Sequence, residues 1–152
     1  MVILLTLYIG YRVEILLHTF VPLIRVNVTL HEMWSTFQVE LSWSNPIGIY
    51  KTELLAAYSG IDGRLKSLVQ FVKHWAKARK LSNTQQGGMG SFAWSLMCIY
   101  FLIKGTHPPV LPSLQNGTFA PEYIQGINVG YSKNLALIYR SDNKEVLYPH
   151  FL

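Results

Sequence analysis

Lys73 and Lys77 stand four residues apart in the stretch FVKHWAKARKL, on either side of Trp75. Two cations at that spacing share one side of a helix and can close together on a polyanion such as a phosphate chain. Taking about 100° per residue, Lys66, Lys73, Lys77 and Lys80 fall in a single stripe about 21 Å long. No glutamate is interleaved to form alternating i, i+4 pairs, as a face shaped only for solubility would carry. Two readings stand: a solvated helix face, or a surface that binds phosphate. Ser91 and Phe92 form a second chemical pair, a hydroxyl and a flat ring that follow the glycine-rich GGMG. Ser91 stands at an N-cap position, and the glycines let backbone amides approach a ligand. The plain alternative is that Ser91 caps and Phe92 packs.

The elements that must carry these residues follow from periodicity. Asp62 is placed as the N-cap of a helix running to Lys80. Its core-facing residues are Leu65, Leu68, Val69, Val72, Trp75 and Ala76. A short helix covers Thr52 to Tyr58, and another runs from Ser91 to Lys104. The stretch Phe92 to Ile103 is apolar on nearly every side, which predicts a helix buried all round. Upstream, VPLIRVNVTL and FQVELSW alternate like strands, with Phe37, Val39 and Leu41 on one face and Gln38, Glu40 and Ser42 on the other. Strands followed by helices predict an α+β fold. Beyond Gly105 the chain reads as a polar tail with few periodic apolar positions.

Composition agrees with a folded domain. Half of the 152 residues are hydrophobic and 14% are charged, and thirteen Lys and Arg against eight Asp and Glu give a net charge of +5. That surplus suits a phosphate-bearing partner. The single cysteine, Cys98, lies within an apolar helix, reads as core and fits a reducing compartment. Arg12 and Glu14 interrupt the apolar opening before the ~20 residues that a membrane span needs, so no membrane partner is expected. His18, His31, His74, His107 and His150 are scattered without metal-ligand spacing.

Taken in order, several segments resemble the terminal uridylyltransferases and poly(A)-polymerase-like RNA nucleotidyltransferases. They are VELSWSNPIGIYKT, LVQFVKHWAK, GGMGSFAWSLM and PPVLPSLQ, with VGY at 129 to 131 as a further landmark. The likeness covers about Val21 to Gln115. It implies the C-terminal strands of a nucleotidyltransferase palm over residues 1–48 and a helical central domain over 49–115. Residues 116–152 would begin the PAP-associated region, with the fold incomplete at both ends. It further implies that Lys73 and Lys77 hold the triphosphate of UTP or ATP, that Ser91 binds phosphate, and that Phe92 stacks on the base in place of tyrosine. Lys51 and Thr52 take the places of an Asn-Thr pair, and a lysine cannot accept the ribose hydrogen bond that the asparagine supports. Glu40 takes the place of the third catalytic aspartate, one methylene too long for an unaltered two-metal geometry.

The implied reaction is addition of UMP, or AMP, to RNA 3′ ends with Mg²⁺ or Mn²⁺ in a cytoplasmic setting, with nuclear or mitochondrial alternatives. The family's Asp-x-Asp strand and Gly-Ser turn have no counterpart. The acidic residues are Glu14, Glu32, Glu40, Glu53, Asp62, Glu122, Asp142 and Glu145, and no two stand at i and i+2. Two function classes therefore remain. One is a fragment of an RNA 3′-terminal nucleotidyltransferase whose N-terminal half lies elsewhere. The other is an inactive nucleotide- or RNA-binding module that works with another subunit. As a fragment, the chain is expected to leave apolar strand faces between residues 21 and 43 without cover.

Overall fold

Alternating apolar and polar residues from Ile9 onward give three strands in a computed structural model that describes residues 9–18, 21–30, 35–43, 45–117 and 119–145. The strands are β1 (Ile9–Leu16), β2 (Leu23–Leu30) and β3 (Ser35–Ser42), antiparallel in the order β1-β2-β3. Register sorts the side chains into two chemically distinct faces, because residues opposite one another share a face. Tyr11, Val28 and Phe37 align across the strands, as do Val13, Val26 and Val39, and Ile15, Ile24 and Leu41. On the other face Arg12, Asn27 and Gln38 align, followed by Glu14, Arg25 and Glu40. Along β1 and β3 the apolar face is exposed, Tyr11 and Ile15 by 70% and 63%. Within residues 21–43 the expectation of uncovered apolar faces holds on β3, where Phe37, Val39 and Leu41 are exposed, while residues 23–29 of β2 are half-buried. The apolar opening of the chain thus contributes β1 where it is described, and no helix among the described residues is long and apolar enough to cross a membrane.

Chain contacts separate residues 1–46 from 47–152. The second unit is built on three helices, α1 (Pro46–Ile61), α2 (Arg64–Ala78) and α3 (Ser91–Lys104). A short hairpin, β4 (Tyr123–Ile124) with β5 (Ile127–Asn128), precedes a last helix, α4 (Lys133–Ile138). The α+β expectation holds. α1 begins six residues before the expected Thr52 because Pro46 suits a helix's first turn, where its missing N–H costs nothing.

Asp62 does not cap α2. Gly63 stands at the N-cap, and Asp62 Oδ1 instead accepts from the Arg64 backbone N–H at 2.9 Å and from its guanidinium Nε at 2.9 Å. Arg64 also donates to Asn143 Oδ1 and to the Glu145 carbonyl, each at 3.0 Å, while Asn143 Nδ2 donates to the Pro108 carbonyl at 2.7 Å. The polar tail, with its few periodic apolar positions, is therefore fastened to the helical unit by polar contacts. Its Ser132 N–H also donates to the Leu114 carbonyl at 2.8 Å.

The core gathers Tyr58 from α1, Leu65 from α2, Cys98 and Leu102 from α3, and Leu111 and Leu114 from the segment after α3. Tyr58 is buried, and its hydroxyl oxygen accepts the Leu114 N–H at 3.0 Å. α3 is not buried all round. Trp94, Cys98, Ile99 and Leu102 face the core, whereas Met97, Tyr100 and Phe101 are exposed. Its neighbours, α2 and the Val110–Leu111 segment bonded to the Leu102 carbonyl, cover one side only.

Candidate nucleotide-binding site

The end of α2 and the start of α3 are joined by two tryptophans. Trp75 and Trp94 meet edge to face, with ring centroids 6.1 Å apart and planes at 83°. Trp75 was expected on the buried face but is 40% exposed. Its contact is with one partner ring rather than the core, and Arg79 stands over it at 5.8 Å. Trp94 is buried, and its Nε1 donates to the Met89 carbonyl at 3.1 Å, which ties the glycine-rich loop to α3.

That loop spends its amides internally rather than on a ligand. Gly88 N–H donates to the Asn83 carbonyl at 2.8 Å and Met89 N–H to the Leu81 carbonyl at 3.0 Å. Gly88 has to be glycine, since a β-carbon there would lie 2.4 Å from the Leu81 carbonyl oxygen. Ser91 is not the N-cap of α3 either. Gly90 is, with no side chain bonded to the first turn, and Ser91 is the first helical residue. The first-turn N–H groups and the helix dipole together favour an anion at this end.

Lys73, Lys77 and Ser91 line one depression of about 450 Å³, joined by Lys80, Ser82, Asn83 and Gln86. No carboxylate lines it. Of the four-lysine stripe, Lys66 lies outside, and Lys80 enters although α2 ends at Ala78. Ser82, Asn83 and Gln86 carry no periodic signal, and only their position between the lysine helix and the glycines points to them. Phe92 is half-buried beside Ser91, and Lys51 Nζ stands 5.1 Å from its ring centroid. Thr52 Oγ1 donates to the Gly48 carbonyl at 2.9 Å, a local bond within α1. His74 is exposed and does not line the depression.

Glu40 belongs to the strand unit and is held there. Arg25 Nε donates to Glu40 Oε1 at 3.1 Å, Arg25 Nη2 lies 3.0 Å from the same oxygen, and Arg25 Nη1 lies 3.7 Å from Glu14 Oε2. Among the described residues no group of three or more His, Cys, Asp or Glu could hold a metal ion. The described residues therefore do not fit a two-Mg²⁺ centre, which needs several free carboxylates.

No family model matches the chain. Similarity to individual proteins is nevertheless extensive. The chain is 33% identical over 136 residues to terminal uridylyltransferase cid1 of Schizosaccharomyces pombe, covering 88% of this chain and 34% of that protein. It is 33% identical over 132 residues to poly(A) RNA polymerase gld-2 homolog A of Drosophila melanogaster, covering 84% of this chain and 9% of the relative. To the human mitochondrial poly(A) RNA polymerase it is 33% identical over 141 residues, 89% of this chain and 23% of the relative. Among solved structures, the Cid1 poly(U) polymerase with MgGTP bound superposes with a TM-score of 0.75 at 31% identity. That match covers 90% of this chain and 43% of the other. Cid1 in complex with the UTP analogue UMPNPP superposes at 0.71. The chain thus spans about a third of cid1 and less of the other relatives.

Proposed function

Because the chain belongs to the family of terminal uridylyltransferases and poly(A) RNA polymerases, we propose that it is the nucleotide-holding part of an RNA 3′-terminal nucleotidyltransferase. The whole protein would add UMP, or AMP, to RNA 3′ ends. The observation that carries this reading is the convergence of Lys73, Lys77 and Ser91 on one depression without a carboxylate. Such an arrangement neutralises a triphosphate by charge-assisted contacts and holds it still, which is most of what phosphoryl-transfer enzymes ask of their side chains. Phe92 would stack on the base, with Lys51 and Thr52 beside the ribose. In domain terms, residues 1–48 would be palm strands, 49–115 the central helical domain, and 116–152 the beginning of the PAP-associated region.

Magnesium or manganese belongs to this reading through the whole protein, as Cid1 has been solved with MgGTP and with Mg 3′-dATP bound. Carboxylates other than the described ones would hold it. Glu40 keeps the place of the family's third carboxylate, but to serve as a metal ligand it would first have to leave Arg25. The setting would be cytoplasmic, with a mitochondrial one as the alternative that the human relative's name suggests.

That same Arg25–Glu40 bond favours a second reading, in which the chain binds nucleotide or RNA without catalysing transfer. A guanidinium fork on the carboxylate supplies the compensating charge that a metal would otherwise bring.

Titration of UTP and of ATP into the purified chain, beside Lys73→Ala/Lys77→Ala, tests the nucleotide-binding claim. Micromolar to low-millimolar UTP binding that the double variant loses is the expected result. A folded wild type that takes up neither nucleotide would end the nucleotide-binding reading of the site, and if it also takes up no RNA oligonucleotide the lysines return to a solvated face. If binding holds, an assay of UMP addition to an RNA 3′ end by the whole protein with Mg²⁺ separates the two classes: transfer supports the enzyme reading, and binding without transfer supports the binding module.

A further inference from the structure

α2 ends in a motif whose backbone asks for glycine. Leu81 N–H donates to the Ala76 carbonyl at 2.9 Å and Lys80 N–H to the Lys77 carbonyl at 3.0 Å. Together these make a Schellman ending with Lys80 at the residue just past the cap. That residue must be left-handed, and Lys80 has φ 59°. A β-carbon is disfavoured in this region, which is why glycine is its usual occupant. Lysine here is a local conflict between sequence and backbone, and such outliers point to a role elsewhere.

The side chain supplies that role. Lys80 is outside α2 yet lines the same depression as Lys73 and Lys77, together with Ser82, Asn83, Gln86 and Ser91. Had α2 continued, Lys80 would stand on the next turn, about 4.5 Å further along the axis from Lys77. The left-handed residue instead folds the chain back at the helix end, where Lys80 joins a third cation to the first two. Three lysines with no carboxylate are more charge than a single phosphate needs. A depression of about 450 Å³ also falls within the size range of small-molecule pockets.

We propose that Lys80 is a third phosphate ligand of this site and makes it selective for a nucleoside triphosphate over shorter phosphate chains. The proposal rests on the nucleotide-binding reading given above. Lys80 trades fold stability for affinity: the residue best for the backbone is not the residue best for the ligand.

The test is to titrate UTP, UDP and UMP into the full chain, into Lys80→Gly and into Lys80→Arg, with thermal melts of each and Lys73→Ala/Lys77→Ala as the reference for loss of the site. Lys80→Gly is expected to melt higher than wild type while its Kd for UTP rises roughly tenfold, as loss of one charge-assisted contact implies. Its Kd for UMP should stay within about twofold, and Lys80→Arg should keep UTP affinity. UTP binding by Lys80→Gly equal to wild type, while the double variant loses it, would overturn this inference and leave the nucleotide site standing. Weakened binding of an RNA oligonucleotide with unchanged UTP binding would overturn it in favour of an RNA contact. If the folded wild type takes up no UTP, both the site and this inference fall. A lower melting temperature for Lys80→Gly would show that the lysine serves the helix end instead.

Discussion

Lys51 Nζ lies 5.1 Å from the centroid of the Phe92 ring, so the ring that follows Ser91 already has a cation over one face. A stacked base and an ammonium ion compete for a π face. The cation–π contact contributes about 0.5–1 kcal/mol at an exposed site, whereas stacking on an aromatic ring contributes ~1–3 kcal/mol per base. The base should win, at a reduced net gain. Phe92→Ala is expected to raise the Kd for UTP by about tenfold and Phe92→Tyr to change it by less than about twofold. Lys51→Asn, measured at high salt to suppress the lost charge, should tighten UTP binding by roughly twofold to fivefold. Weaker binding by Lys51→Asn under those conditions would mean that the ammonium group contacts the nucleotide itself.

Tyr58 is expected to matter through one oxygen. Its hydroxyl accepts the Leu114 N–H at 3.0 Å with both residues buried. Tyr58→Phe leaves that N–H without a partner and away from water, at a cost of about 1–3 kcal/mol. Urea denaturation should show this loss with an unchanged m-value. A change below about 0.5 kcal/mol would mean that the N–H finds another acceptor.

Hydrogen bonds from the Arg64 guanidinium hold the Asp62 carboxyl below its ordinary value of 3.8, against the opposing effect of partial burial. The folded chain then binds fewer protons at this group than the unfolded chain does. Its contribution is complete above about pH 4 and fades as pH falls through the lowered folded value. Asp62→Asn should therefore cost about 1 kcal/mol at pH 7 and progressively less in acid. A deficit independent of pH would mean that shape, rather than charge, holds the α1–α2 turn.

Burial raises the Cys98 thiol above its ordinary value, although Lys73 pulls the other way. A thiol that is buried and kept protonated reacts slowly. In the native chain at pH 7.5, Cys98 should resist a maleimide or disulfide reagent, with labelling restored in denaturant. Rapid native labelling would show that α3 opens readily.

The lysine pair, the core-facing residues of α2 other than Trp75 and the strand alternation were legible along the chain, because each is a short-range repeat. What the residues could not reveal depended on partners far away or on backbone angles. Glu40 reads as a free carboxylate until register brings Arg25, fifteen residues earlier, beside it. Asp62 reads as a cap until Arg64 claims its carboxylate. The apolar circumference of α3 implied full burial, yet burial depends on how many neighbours arrive, and Met97 and Tyr100 have been left in contact with solvent. Lys80 reads as one more helical lysine, and its φ with the hydrogen bonds around it reveals that the helix has already ended.

The Arg64 cluster has a consequence for how the chain is made. One guanidinium joins the α1–α2 turn to Asn143 and to the Glu145 carbonyl, and Asn143 reaches on to Pro108. Contacts between residues so far apart in sequence close late, since the intervening chain must be ordered first. A nascent chain leaving the ribosome can assemble α1, α2 and α3 as they emerge, but it cannot complete this cluster until residue 145 is free. During synthesis, therefore, the helical unit waits with the carbonyl of Pro108 and the outer edge of Arg64 still in water.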